Sequence, residues 1–203
     1  SLGSNLIIVL SGAVTSGGVR LGHGTQLTIT EDDAWAIQRE VPAVQAAAPS
    51  MRGTGQVVYG NLNWSTIVQG VTPEFFDVRE WGVVAGKPFT QEDLDGATKV
   101  ALLGQTVVQN LFADTDPLDQ VIRIRKVPFT VIGVLDRKGQ STWGQDQDDI
   151  ILIPLSTAKK KVMGVSQANA RAVGAISIKV KEGADMKEAE QQIRDLLRQR
   201  HRL

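Results

Sequence analysis

Apolar residues recur along the chain in short runs whose spacing switches between two periods, and each switch marks an element. Thr30 stands three residues ahead of Asp33, with Ala34, Ile37 and Val41 following, which predicts an N-capped amphipathic helix stopped by Pro42. Val44 to Ala48 and Gly55 to Tyr59 read as two strands, and Asn61 to Asn63 as a hairpin turn into Trp64 to Val71. A short helix or turn carries Phe75 and Phe76, and Thr90 opens the acidic first turn QED. Lys99 to Leu103 is a short apolar strand, after which Val107, Val108, Leu111 and Phe112 fall on one helical face until Asp116-Pro117 breaks it.

The second half of the chain changes period. Ile122 and Ile124 alternate with Arg123 and Arg125, the signature of a strand with one wet face, whereas Phe129 to Leu135 is apolar on both faces and reads as a central strand. Ile150 to Ile153 is another buried run, and Ser156 to Met163 reads as a helix with Lys159, Lys160 and Lys161 on its solvated side. Ile176, Ile178 and Val180 alternate with Ser177, Lys179 and Lys181, predicting a half-exposed strand. Asp185 then caps a helix whose inner face is Met186, Ala189, Ile193, Leu196 and Leu197.

This order gives an α+β fold of two parts. A glycine-rich linker covers 1–26, a discontinuous α/β subdomain is built from 27–78 plus 171–203, and a strand-rich subdomain, 79–170, is inserted between them.

Composition narrows the function more by exclusion than by indication. Basic and acidic side chains both number 22, so net charge draws the chain neither to nucleic acid nor to an anionic surface. The absence of cysteine removes thiol catalysis and cysteine-ligated metals. The apolar run Leu6 to Leu10 is far short of the roughly 20 residues of a membrane-spanning helix. The two histidines, His23 and His201, read as exposed, and no HExxH, GxSxG or P-loop pattern occurs.

Asp146, Asp148 and Asp149 could offer oxygens to a hard cation, but their spacing fits no EF-hand, and capping of backbone N–H groups is the plainer role. Trp64 and Trp81 read as core or junction packing. Trp143 sits between polar and glycine residues and reads as a contact anchor, so Gln140, Ser141, Thr142 and Trp143 form the candidate partner-contact loop. No catalytic, cofactor-binding or metal-binding residue is expected.

Several segments, in order, carry a resemblance to a known family. NLIIVLSGAVTSGGVRLGHG, TITEDDAWAI, VTPEFFDVREWGVVAGKPFTQED, PFTVIGVL, the QDD loop, PLSTA and the closing LLRQRHRL together resemble the extracytoplasmic core of MacB-type ABC transporter permeases. The chain departs from the family pattern at two turns, where Asp119 and Lys126-Val127 stand in place of glycine-containing sequence.

The resemblance implies a periplasmic core with a discontinuous porter-like subdomain and an inserted Sabre-like subdomain. It also implies a domain anchored to the cytoplasmic membrane that couples ATP hydrolysis to efflux, as a homodimer, and docks a periplasmic adaptor (membrane fusion) protein and through it an outer-membrane channel. ATP and Mg would belong to a nucleotide-binding domain outside these residues. The outer domain of a lipoprotein-releasing or antimicrobial-peptide-resistance permease, or a module that captures substrate between subdomains, are the alternatives.

Overall fold

The computed structural model describes residues 5–12, 28–165 and 170–202. Two compact units divide the chain: a terminal unit of 2–50, 74–80 and 168–203, and an inner unit of 51–73 with 81–167.

The terminal unit is built on three antiparallel strands. β1 (Leu6–Leu10) pairs with β9 (Ala175–Val180), and β9 pairs on its other side with the Val44–Ser50 part of β2 (Val44–Tyr59). Ile7, Val9, Ile176, Ile178 and Val180 are fully buried, as are Ala34, Ala36 and Ile37 of α1 (Glu31–Glu40) and Ala189, Ile193 and Leu197 of α6 (Met186–His201). The opposite side of β9 meets α2 (Glu74–Val78), where the Lys179 ammonium lies 3.3 Å from Asp77 and 3.4 Å from Glu80. This cover buries Ser177 and half-buries Lys179, so β9 is wetted less than its alternating pattern predicts. Thr30 and Asp33 close the expected capping box: Thr30 Oγ1 accepts from the Asp33 N–H and the Asp33 carboxylate accepts from the Thr30 N–H.

The inner unit closes a ring of six strands. The later part of β2 neighbours β3 (Leu62–Val71), which runs parallel to β8 (Ile150–Pro154). β8 pairs with β5 (Val100–Leu103), β5 with β7 (Val127–Leu135), and β7 with β6 (Val121–Ile124), which returns to β2 through Val57↔Ile124 and Val58↔Arg123. Closure removes the unpaired edges that these strands would otherwise expose. Inward residues come from every strand of the ring: Val57, Val68, Ala101, Leu103, Ile122, Ile124, Phe129, Val131, Ile151 and Ile153. α4 (Gln105–Leu111) adds Val107 and Leu111 to this core, followed by Phe112. β4 (Val83–Gly86) pairs on the outside of β7, and α3 (Gln91–Asp95) follows with its own Thr90–Asp93 capping box.

These units differ from the expected boundaries. Residues 51–73 belong with the inner unit, because the ring cannot close without the end of β2 and all of β3. Val44 to Tyr59 is one strand rather than two. Within 1–26, Leu6–Leu10 is a paired strand, and the glycine-rich 13–26 with His23 lies outside the described residues.

A second correction concerns the lysine triplet. α5 (Leu155–Thr157) continues into a π-helical turn over Ala158–Val162; Lys159, four residues after the buried Leu155, shares its inward face and is buried, while Lys160 and Lys161 stay exposed. The two turns that depart from the family's glycines both hold left-handed backbone: φ is +67° at Asp119, and +47° and +71° at Arg125 and Lys126, the two central residues of the β6–β7 hairpin.

Candidate functional site

The loop between β7 and β8 stands on a fastened base. The Asp148 carboxylate is buried and accepts the Lys138 N–H at 2.7 Å and the Gly139 N–H at 2.9 Å, drawing the two ends of the loop together. Asp146 accepts from Thr106 Oγ1 at 2.6 Å and from the Asp148 N–H at 2.9 Å. Asp149 takes the Trp64 indole N–H at 2.8 Å and the Thr66 hydroxyl at 2.7 Å on one oxygen. Each of the three carboxylates therefore ties the loop to itself or to the ring.

Gly104 is the other half of the base. A Cβ there would collide with the Asp148 carbonyl, and the close approach lets the Gly104 N–H donate to the Ile150 carbonyl at 2.9 Å and the Thr106 N–H to the Asp148 carbonyl at 3.2 Å.

Above this base the chain makes a short bridge, Gln140 against Asp146, and reverses at its tip. The Ser141 N–H donates to the Gln145 carbonyl at 2.7 Å and the Gly144 N–H to the Ser141 carbonyl at 2.9 Å, while Ser141 Oγ accepts the N–H groups of Trp143 and Gln145. Gly144 supplies the positive φ, +81°, that the reversal requires. Of the four candidate residues, Gln140, Thr142 and Trp143 are exposed and Ser141 is half-buried as the knot of the turn. Trp143 is 91% exposed, so a self-bonded tip holds a large apolar side chain in water.

The remaining aromatic and acidic candidates are structural. Trp81 is buried, donates its indole N–H to the Asp136 carbonyl at 2.8 Å and lies beneath the Lys138 ammonium at 5.3 Å from the ring centroid. Trp64 packs against the ring's core. Beside the loop lies a hollow of about 260 Å³ lined by Thr54, Ser65, Thr66, Ile67, Gln145, Asp146 and Asp149, below the roughly 300–1,000 Å³ of small-molecule sites. Among the described residues, no group of three or more His, Asp or Glu side chains could hold a metal ion.

One polar cluster escaped the reading of the sequence. Asp33, beyond its capping role, accepts Arg200 Nε at 2.8 Å on Oδ1 and lies 2.8 Å from His201 Nε2 on Oδ2, with its side chain 2% exposed. Burial pushes this carboxyl up, but the hydrogen bonds from Arg200, His201 and the Thr30 N–H outweigh it and hold Asp33 below the ordinary carboxylate value. His201 is thus engaged rather than exposed as expected. The available signal was an acidic residue on the buried face of α1, next to Ala34.

With this geometry in place, comparison with known proteins is direct. The model of the MacB-like periplasmic core domain family matches residues 1–196. A macrolide export ATP-binding/permease protein MacB of Syntrophobacter fumaroxidans is 44% identical over 83% of this chain and 24% of its own length. The protein of the same name from Bdellovibrio bacteriovorus is 37% identical over 100% of this chain and 30% of its own length.

The chain thus spans less than a third of these relatives. Among solved structures, the periplasmic region of MacB from Actinobacillus actinomycetemcomitans superposes with a TM-score of 0.78 at 25% identity, covering 98% of this chain and 86% of that one. The extracellular domain of the Gram-positive transporter YknZ shares the fold, with a TM-score of 0.74 at 19% identity over 97% of this chain and 95% of its own.

Proposed function

The chain belongs to the MacB-like periplasmic core domain family, and from that premise we propose that it is the extracytoplasmic part of an ABC-type export permease. It couples ATP hydrolysis in a nucleotide-binding domain outside these residues to efflux, and works as a homodimer anchored in the cytoplasmic membrane. We assign the terminal unit as the porter-like part and the inner unit as the Sabre-like part. No chemistry is assigned to the chain itself.

The observation that carries the docking half of this reading is Trp143. A tryptophan 91% exposed on a tip whose backbone is already ordered by its own hydrogen bonds can be buried by a partner without the cost of first fixing the loop. Indole rings so placed are frequent anchors of interfaces. The partner proposed is a periplasmic adaptor protein, linked in turn to an outer-membrane channel, with Gln140, Thr142 and Trp143 at the contact.

The test is co-purification and titration of the full-length permease with its adaptor. Trp143→Ser is expected to weaken binding by about 30-fold or more, the size of a hot-spot loss of ~2 kcal/mol. Leu62→Ser, which removes another exposed apolar side chain of the inner unit, should leave affinity unchanged. Equal affinity in the Trp143 variant would remove the loop from the interface, and export that survives deletion of the domain would remove the coupling role.

A further inference from the structure

α6 is the last helix of the terminal unit, and its last turn is fastened differently from the rest. The buried stripe Ala189, Ile193 and Leu197 ends at Leu197, and Arg202 terminates the helix in left-handed backbone with φ +56°. Past Leu197, Arg200 and His201 both reach Asp33, at 2.8 Å each.

Asp33 lies in the first turn of α1, and that turn is gripped from a second direction. Arg171 bonds Asp32 at 2.7 Å and lies 3.6 Å from Glu31, while its carbonyl accepts the Glu31 N–H at 2.9 Å. The first turn of α1 therefore collects cations from two segments far apart in sequence, one of them the last turn of α6.

A helix is stiff along its axis, and charged hydrogen bonds of this length do not survive a displacement of an ångström or so. The end of α6 either moves α1 with it or breaks away from Asp33. We infer that the Asp33–Arg200–His201 junction passes displacement of the last turn of α6 to α1, so that these three side chains are positioning residues of the export cycle. This inference rests on the coupling role proposed above.

The experiment is hydrogen–deuterium exchange on the full-length transporter, nucleotide-free and with a non-hydrolysable ATP analogue, a readout that needs no knowledge of the exported molecule. In the wild type, nucleotide should alter exchange both at 194–202 and at 28–37. In Arg200→Gln/His201→Gln the change at 194–202 should persist and that at 28–37 should fall by about fivefold or more, since local opening then uncouples the two segments. Arg200→Lys with His201 intact should restore it.

A change at 28–37 that persists in the double variant, or is missing in the wild type while present at 194–202, overturns the inference and leaves the coupling role standing. No nucleotide-dependent change anywhere across 28–202 in the wild type overturns the coupling role, and the inference with it. Should the double variant fail to fold, Arg200→Gln alone is read, with about a twofold loss at 28–37 expected and an unreduced change overturning the inference.

Discussion

Replacing Asp33 by asparagine keeps the shape of the side chain and removes one of its two acceptor oxygens. In the native protein Oδ1 accepts Arg200 Nε, and Oδ2 accepts the Thr30 N–H at 2.9 Å while meeting His201 Nε2. An asparagine carbonyl can serve one side only, and its NH₂ then faces either the Arg200 or the Thr30 donor. Orphaning a buried donor costs about 1–3 kcal/mol, and losing negative charge from the first turn of a helix adds about 0.3–1 kcal/mol.

Arg200 is 33% exposed and can turn partly to water, which confines its share to the lower half of that range. The expected loss is about 1.5–3 kcal/mol at pH 7. The pH dependence has a definite sign, because Asp33 holds its proton less tightly folded than unfolded. Its contribution is fully present above the unfolded value, about 3.9, and is lost as pH falls through the depressed folded value.

Urea unfolding of both proteins, followed by circular dichroism between pH 7 and pH 3, should give a gap that narrows as pH falls below about pH 4. A gap under about 0.5 kcal/mol at pH 7, or one that stays equally wide at pH 3, refutes the assignment of Asp33 as a buried, charge-stabilised acceptor.

Four further variants test other parts of the structure. Lys126→Gly relieves left-handed backbone that costs an L-residue about 1–2 kcal/mol, less the extra freedom of glycine unfolded, for a net gain of about 0.5–1 kcal/mol or roughly 1–4 °C in Tm; Lys126→Ala should bring no gain. Gly104→Ala forces a methyl group against the Asp148 carbonyl and should cost about 1–3 kcal/mol in chemical unfolding. Trp143→Ser should leave Tm within about 2 °C of wild type, because a side chain already in water loses no burial.

What could be read from the sequence was local. The Thr30 and Thr90 caps, the helix at Val107 to Leu111 and the buried run Phe129 to Leu135 are each specified within a few residues, and the fold has them where the pattern puts them. Pairings made across long separations were not legible. Leu6–Leu10 is a strand because β9, some 170 residues later, lies beside it, and nothing near Leu6 announces that partner.

β2 reads as two strands because Pro49 and Gly53 interrupt its pattern, yet it is one strand whose neighbour changes from β9 to β6. Lys159 departs from the expectation because three consecutive residues cannot share one side of a helix, and Lys159 stands four residues after the buried Leu155. The exposed tip at Trp143 was visible as an aromatic among turn formers, but the bonds that fasten its base join Asp146 to Thr106 and Asp149 to Trp64, whose proximity only the fold supplies.

The closed ring of the inner unit bears on how related chains can diverge. With every ring strand paired on both sides, the loop that carries Trp143 is fastened at its base by Asp146, Asp148, Asp149 and the close approach at Gly104, and its tip forms part of no strand of the ring. Residues 140–145 can then be rewritten, lengthened or exchanged without disturbing the core beneath, whereas Gly104 and Asp148 cannot. Selection for a new binding partner can therefore act on a handful of tip residues at little cost in stability, and relatives with the same frame are expected to differ most there.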